Sequence, residues 1–330
     1  MGSKNMPVAA ELGIRTGAQE HTGPSSRTGD FKDLSHQTII SIVNDRLRVV
    51  REDLLKPERA EELNQRHKEL MDGIANFAES VQNEGNYPEG AGQSIRDRLA
   101  LADSNSAGQG NAERIKHRLA QFHHKPNVIS DLDGTITLDV DAAQTLVESI
   151  PTSADAEPML AELSRDAFSW VHAVTWQDAL REAPELFREA GQRAIVRPGV
   201  DKFFEYAKRA HIPVTILSAN FEPYVRGVLD QVPNAAGTPI IANKADYIIA
   251  TDKASVIEHE AKSHPDRPVI FAGDGKSDKK AINKLVAGYL ALESSEFAAE
   301  LKAAGLPYVT YRDFNDVTEK VKELQSYQTV

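Results

Sequence analysis

The chain has 330 residues and a hydrophobic fraction of 41%, enough for one large or two modest domains with a real core. Its formal net charge of -11 argues against a nucleic-acid-binding surface, which needs a basic face, while leaving room for one locally positive pocket that takes a small anion. The absence of cysteine excludes disulfides, thiolate metal sites and cysteine nucleophiles.

Residues 1–30 are rich in Gly, Ser, Thr and charge and read as a disordered tail. The N-terminal stretch lacks the apolar core of about seven residues that a secretory signal needs. Nowhere does an apolar run approach the roughly eighteen residues of a membrane span, so the expected location is the cytoplasm, with no membrane partner. From Leu34 the pattern turns helical: Ile39, Ile40, Val43, Leu47 and Val50 recur at three- and four-residue steps. Pro57 is placed to open a second helix whose stripe is Leu63, Leu70, Ile74, Phe77 and Val81. "GQSIRDRLALA" reads as a short third helix and "DSNSAGQGN" as a loop. Residues 31–111 thus form an N-terminal helical region whose apolar stripes must face each other, the next domain or a partner.

After Ala112 the grammar changes. A lead-in helix, "AERIKHRLAQF", precedes the strand "NVIS". The β-branched runs "VTILS", "PIIAN", "PVIFAG", "GYLAL" and "YVTY" then alternate with the helical patterns "VDKFFEYAKRA", "EPYVRGVLDQV", "KASVIEHEAK", "SDKKAINKLV" and "EFAAELKAAG". Such alternation predicts an α/β fold, a Rossmann-like, mostly parallel sheet with ligands bound beyond the carboxyl ends of its strands. The stretch from 138 to 196 reads as all helical, in "DAAQTLVESI", "EPMLAELSRDAFSWVHAV" and "TWQDALREAPELFREAG". Its Arg181, Arg188 and Arg193 read as solvated helix charges and its Trp170 and Trp176 as core.

Four strand ends carry chemistry. "VISDLDGTIT" places Asp131 and Asp133 two apart, where like charges repel unless a cation holds them. Ser218, Ala219 and Asn220 end the second strand, Lys253 opens a helix after "YIIATD", and "GDGKSD" sets Asp274 and Asp278 four apart. Mg²⁺ prefers oxygen ligands, so Asp131 and Asp274 can share one ion, with Asp278 reaching it directly or through water. Lys253 would offset the remaining charge, and Ser218 with the following backbone N–H groups would hold phosphate oxygens. If the chain turns at Asp133, which Gly134 permits, one carboxylate can attack phosphorus while the other handles the leaving-group proton.

These four motifs, in this order, resemble those of the haloacid dehalogenase superfamily of phosphohydrolases. "DLDGTIT" is similar to its first motif and "GDGKSD" to its fourth. The resemblance implies that Asp131 forms an aspartyl-phosphate and that Asp133 protonates the leaving group, then activates water. It further implies metal binding by Asp131, by the Asp133 carbonyl and by Asp274, with Asp278 a direct or indirect ligand, and phosphate binding by Ser218 and Lys253. Lys244, in "IIANKAD", is the rival motif lysine; Lys253 is preferred because it opens a helix ahead of "PVIFAGD", as the family's lysine usually does.

The helical insertion at 138–196 resembles the cap of the phosphoserine-phosphatase-like branch, as does "RPGVDKFFEYAKRAHIPVTILSAN". The catalytic core is then 112–137 with 197–330. "GLPYVTYRDFNDV" resembles the ending of the methionine-salvage phosphatases of that branch. Two departures weigh against phosphoserine as substrate: Val140 stands where that enzyme carries a cap glutamate, and Ser277 stands where the fourth motif usually has asparagine.

The expected activity is Mg²⁺-dependent hydrolysis of a small phosphorylated metabolite. The alternatives are phosphoryl transfer or mutase chemistry on the same fold, and a regulatory or binding protein whose N-terminal helices recruit a protein partner or a second copy.

Overall fold

The computed structural model describes residues 34–138, 171–245 and 252–325. The expected tail at 1–30, the cap helices expected before 171, Trp170 and Val140 lie outside them. Six strands form one sheet in the order β3-β2-β1-β4-β5-β6: β1 (Asn127–Ser130), β2 (Val214–Phe221), β3 (Ile240–Asn243), β4 (Val269–Gly273), β5 (Val286–Leu292) and β6 (Tyr308–Tyr311). Every pairing is parallel. All residues of β1 and β4 are buried, which is why these strands read as unbroken apolar runs rather than as an alternation. The chain lays down β1, β2 and β3 outward in one direction, then returns beside β1 to lay down β4, β5 and β6. The sheet therefore has its switch point between β1 and β4, where a crevice opens at the carboxyl edge.

Eleven helices are described around this sheet. The first four are α1 (His36–Leu54), α2 (Ala60–Gln82), α3 (Ala91–Asn105) and α4 (Asn111–Leu119). Then come α5 (Val171–Glu182), α6 (Pro184–Gly191), α7 (Val200–Arg209), α8 (Glu222–Asp230), α9 (Lys253–Ser263), α10 (Glu296–Ala303) and α11 (Phe314–Gln325). Helix α4 lies against β5 and β6 and α11 against β6 and α4, with α7 against α11; α8 lies against β2 and β3, and α10 against β5 and β6.

Two expectations need correction. Pro57 opens a 3-10 turn (Pro57–Arg59), not an α-helix, and the helix proper starts at Ala60. The helix expected over "SDKKAINKLV" is a 3-10 stretch, Lys276–Ala281. The Asp278 carboxylate there takes the backbone N–H groups of Asp274 and Gly275, and the Tyr289 hydroxyl both accepts from Asn283 N and donates to Asn283 O. The Asp278 bonds cap the start of the stretch, whereas Tyr289 captures the Asn283 backbone groups that a continuing helix would have used.

The apolar stripe of α1 (Ile39, Val43, Leu47, Val50, Leu54) is buried, and the helix packs on α5 and α6. On their other side, α6 packs tightly on α8: a methyl group on Gly191 would run into Tyr224 O, and one on Gly227 into Arg188 O. Arg188 and Gln192 both reach Asp230. Helices α2 and α3 lie against α9, where Lys262, 2% exposed, donates to Val81 O at 2.9 Å and pairs with Glu84 and Glu258. Tyr87 Oη meets His259 Nδ1 at 3.0 Å, and Arg98 pairs with Asp266. The stripe of α1 is thus covered by the chain itself, as are Leu63, Phe77 and Val81 of α2, while Leu70 and Ile74 are half-buried.

Candidate active site

Because all strands run in parallel, their carboxyl ends deliver the chain into one place. The residue after β1 is Asp131, the residue after β4 is Asp274, and Ser218 lies in β2 where its pairing with β3 is interrupted between Ser218 and Phe221. Lys253 is the first residue of α9, whose N-terminus is capped by the Asp252 side chain accepting from Ser255 N.

Three carboxylates and one ammonium converge. Asp131, Asp274 and Asp278 each offer an oxygen, and these oxygens lie within 4.8 Å of one another. Lys253 Nζ donates to Asp131 Oδ1 and to Asp278 Oδ1, both at 2.7 Å. Asp131, Lys253 and Asp278 are 4%, 2% and 0% exposed, so water does little to screen them. Burial, reinforced by the charges of Asp278 and Asp274, pushes the Asp131 carboxyl up to about 7 despite the pull of Lys253. Burial and Asp278 also raise Asp274, against the Thr135 hydrogen bond and the charges of Lys253 and Arg197. The attraction of Asp131 and Asp278 outweighs burial at Lys253 and holds its ammonium firmly charged. Carboxylates outnumber the ammonium, and a divalent cation that prefers oxygen donors would complete the balance. The donor set fits Mg²⁺.

The turn after Asp131 is built around Gly134, with φ +74°; a methyl group there would collide with the Asp274 carboxylate. Thr135 Oγ1 donates to Asp274 Oδ1 at 2.9 Å and aims that carboxylate. Gly273 is required for a related reason, since a side chain there would run into the carboxylate of Asp278. Asp133 faces the end of β2: its Oδ2 receives long contacts from Ser218 Oγ (3.5 Å) and Asn220 Nδ2 (3.4 Å). Ser218 Oγ in turn accepts from Asn220 N at 3.0 Å, while Ala219 is exposed and its carbonyl is held by Asn243 Nδ2 at 2.6 Å.

The structure therefore brings Asp131, Asp274, Asp278 and Lys253 into one cluster and sets Asp133, Ser218 and Asn220 in a second contact group beside Asp131 in the chain. Lys244 is not in the cluster; it pairs with Glu222 at 3.1 Å. Ser277 is exposed. Of the helix charges, Arg188 reaches Asp230, Arg193 reaches Glu189, and Arg181 pairs with Asp178 and donates to Ala245 O. Trp176 is buried and stacks on Phe221 with ring centroids 5.3 Å apart.

Sequence reasoning missed the residues that support this geometry. Arg197 grips the Gly134 and Thr135 carbonyls, Asn243 fixes the Ala219 carbonyl, and the Tyr311 hydroxyl reaches Gly273 O at 3.4 Å. Each acts through a backbone carbonyl far away in sequence, so the local pattern carries no trace of it.

The haloacid dehalogenase-like hydrolase family model matches residues 128–283. A 2-hydroxy-3-keto-5-methylthiopentenyl-1-phosphate phosphatase of Lysinibacillus sphaericus (strain C3-41) is 22% identical over 225 residues, covering 60% of this chain and 96% of that one. Among solved structures, cytosolic 5'-nucleotidase IIIB bound to cytidine aligns over 66% of this chain and 91% of its own, at 16% identity and a TM-score of 0.42. Phosphoserine phosphatase in its apo form aligns over 59% and 98%, at 15% identity and a TM-score of 0.37. The matched span runs from β1 past Asp278 and so contains every carboxylate and the lysine of the cluster; residues 128–283 are thus a haloacid dehalogenase-like hydrolase region, similar in sequence to a phosphatase.

Proposed function

We propose that the protein hydrolyses a small phosphorylated metabolite through an aspartyl-phosphate on Asp131, with Mg²⁺ as cofactor. The observation that carries this reading is the meeting of Asp131, Asp274 and Asp278 around the Lys253 ammonium at the switch point of the sheet. Asp131, Asp274 and the Asp133 carbonyl would hold the ion, with Asp278 a direct or indirect partner. When bound, it would neutralise charge on the phosphoryl oxygens.

Asp131 forms a bond to phosphorus as the bond to the leaving oxygen breaks. Asp133, protonated, gives its proton to that oxygen, and the product alcohol departs. Asp133, now a carboxylate, takes a proton from water as the water oxygen attacks the same phosphorus. The Asp131–phosphorus bond breaks and inorganic phosphate leaves. Lys253 holds one oxygen of Asp131 throughout, which fixes the nucleophile before substrate arrives. Ser218, the Ala219 N–H and Lys253 would be the phosphate contacts, and the Asn220 N–H would join them by giving up its bond to Ser218 Oγ. This family chemistry rests mainly on positioning and electrostatics, which a preformed, buried cluster supplies.

The test is phosphate release from a panel of phosphorylated metabolites with and without Mg²⁺, paired with acid-quench mass spectrometry of the Asp131 peptide. A phosphoryl adduct on Asp131 that disappears in Asp131→Asn together with turnover is expected. Undiminished phosphate release by Asp131→Asn would overturn the assignment.

A further inference from the structure

Arg197 follows the turn and bridge residue that come after α6, and its guanidinium turns back onto the turn that carries Asp133. Nε donates to Thr135 O at 2.8 Å, Nη2 to Gly134 O at 2.5 Å, and Nη1 to Arg312 O at 3.5 Å. Its own backbone N–H donates to Ile136 O, beside an antiparallel bridge between Thr137 and Val196 and the Leu138 N to Ile195 O bond. Two successive carbonyls are thus clamped by one planar fork. One of these carbonyls belongs to Gly134, the residue after Asp133, and the next to Thr135, whose hydroxyl aims Asp274.

The turn is closed on itself by Ile136 N and Thr137 N donating to Leu132 O, at 2.7 Å and 2.9 Å, and Arg197 adds a clamp from outside it. Gly134 is in the left-handed region, where backbone freedom is greatest, and it lies against the Asp274 carboxylate. From the other direction the Asp133 carboxylate receives the 3.5 Å and 3.4 Å contacts of Ser218 and Asn220. Those are long, and weak by geometry. The Arg197 bonds are shorter and charge-assisted.

We infer that Arg197 is a positioning residue for the proton-transfer step: by clamping the Gly134 and Thr135 carbonyls it holds Asp133 within reach of the leaving oxygen. This rests on the reading of Asp133 as the proton donor. Lysine cannot replace the fork, because a single ammonium does not span two carbonyls in this planar geometry. A purely structural Arg197, tying the 195–197 strand to the 136–138 strand, would affect folding and all substrates alike.

Leaving groups separate the two roles. Departure of p-nitrophenolate from p-nitrophenyl phosphate needs little protonation, whereas departure from phenyl phosphate needs more. The experiment measures kcat and KM for both compounds with the full-length protein in Mg²⁺, for the wild type, Arg197→Met, Arg197→Lys and Asp133→Asn. A positioned acid contributes about 10²–10⁴-fold. Arg197→Met is expected to lower kcat on phenyl phosphate by roughly tenfold to a hundredfold, a part of that contribution, with only a few-fold loss on p-nitrophenyl phosphate and little change in KM. Arg197→Lys should show the same discrimination in weaker form, and added guanidinium should restore part of the phenyl phosphate rate in Arg197→Met. Equal losses on both compounds would overturn the inference. If Arg197→Met fails to fold by thermal melt, the Lys variant decides by the same ratio. If Asp133→Asn itself fails to discriminate the two compounds, it is the assignment of Asp133 that fails, which distinguishes that failure from one of Arg197.

Discussion

Lys253 Nζ stands 2.7 Å from Asp131 Oδ1 with both side chains almost fully withdrawn from solvent. The same ammonium reaches Asp278 at 2.7 Å, so one cation separates two buried anions. Removing it leaves three neighbouring carboxylates with no adjacent ammonium. Breaking a buried pair from one side costs about 3–5 kcal/mol, because the surviving charge stays desolvated. Lys253→Met should therefore melt well below the wild type in chelator and lose turnover. Mg²⁺ should return part of the melting temperature but not the activity, since an ion replaces charge without orienting Asp131. A metal-free Lys253→Met protein as stable as the wild type would contradict this account.

The raised Asp131 carboxyl makes a signed prediction about pH. The group lies near 3.8 in a free chain and at about 7 in the folded protein, through burial first and the Asp278 charge next. The folded state therefore binds this proton more tightly than the unfolded one. The stability so gained is fully present below 3.8 and is lost as pH rises through about 7. In chelator, wild-type stability relative to Asp131→Asn should fall over that window and level off above it. Mg²⁺ competes with the proton for the same oxygens, so its affinity should rise across the window and the gap between the two proteins should close in its presence. Calorimetric melts at a series of pH values, with chelator and with Mg²⁺, check both statements. A wild-type curve parallel to that of Asp131→Asn throughout would refute them.

Gly134 tests the turn itself. Its φ of +74° is disfavoured for any side chain, and a methyl group would also meet the carboxylate of Asp274. Gly134→Ala should cost about 1–3 kcal/mol from backbone strain, with the collision adding to it. It should also displace Asp274, so the concentration of Mg²⁺ needed for half-maximal activity should rise. A Gly275→Ala variant is the control, since nothing lies within 4 Å of a methyl group there and its φ is not positive. Equal behaviour of the two variants would mean that the turn is not held as described.

The strands were readable because each is a short apolar or β-branched run, buried on both sides in β1 and β4, and Asp131 and Asp274 because each stands where such a run ends. What could not be read depends on residues distant in the chain. Lys262 has the look of a solvated helix charge, yet Val81 O and Glu84 arrive from about 180 positions away to bury it. Arg197 reads as the residue before a Pro-Gly turn, and only the folded chain brings it to carbonyls 62 and 63 positions earlier. The helix expected over "SDKKAINKLV" has suitable spacing, but Tyr289 diverts the Asn283 backbone groups. Local pattern sets where elements begin and which positions bear charge. It does not reveal which backbone group a charge will serve.

The same distant contacts bear on the N-terminal helices. A recruiting module would offer an apolar stripe to a partner, but the stripe of α1 is buried where α1 packs on α5 and α6. Lys262 meanwhile ties α9, the helix that begins with Lys253, to the end of α2. Each large aliphatic side chain uncovered by removing α1 forfeits about 1.5–3 kcal/mol. Deleting residues 1–110 should therefore leave an aggregating or strongly destabilised protein without turnover. Lys262→Met should be a milder version, about 1–3 kcal/mol less stable through an unpaired Val81 carbonyl, since Glu84 and Glu258 keep part of their hydration. Thermal melts and phosphate release on both variants check this. A soluble, fully active deletion product would restore the view of these helices as a separable partner-binding region, because a surface that the core does not need is free to serve something else.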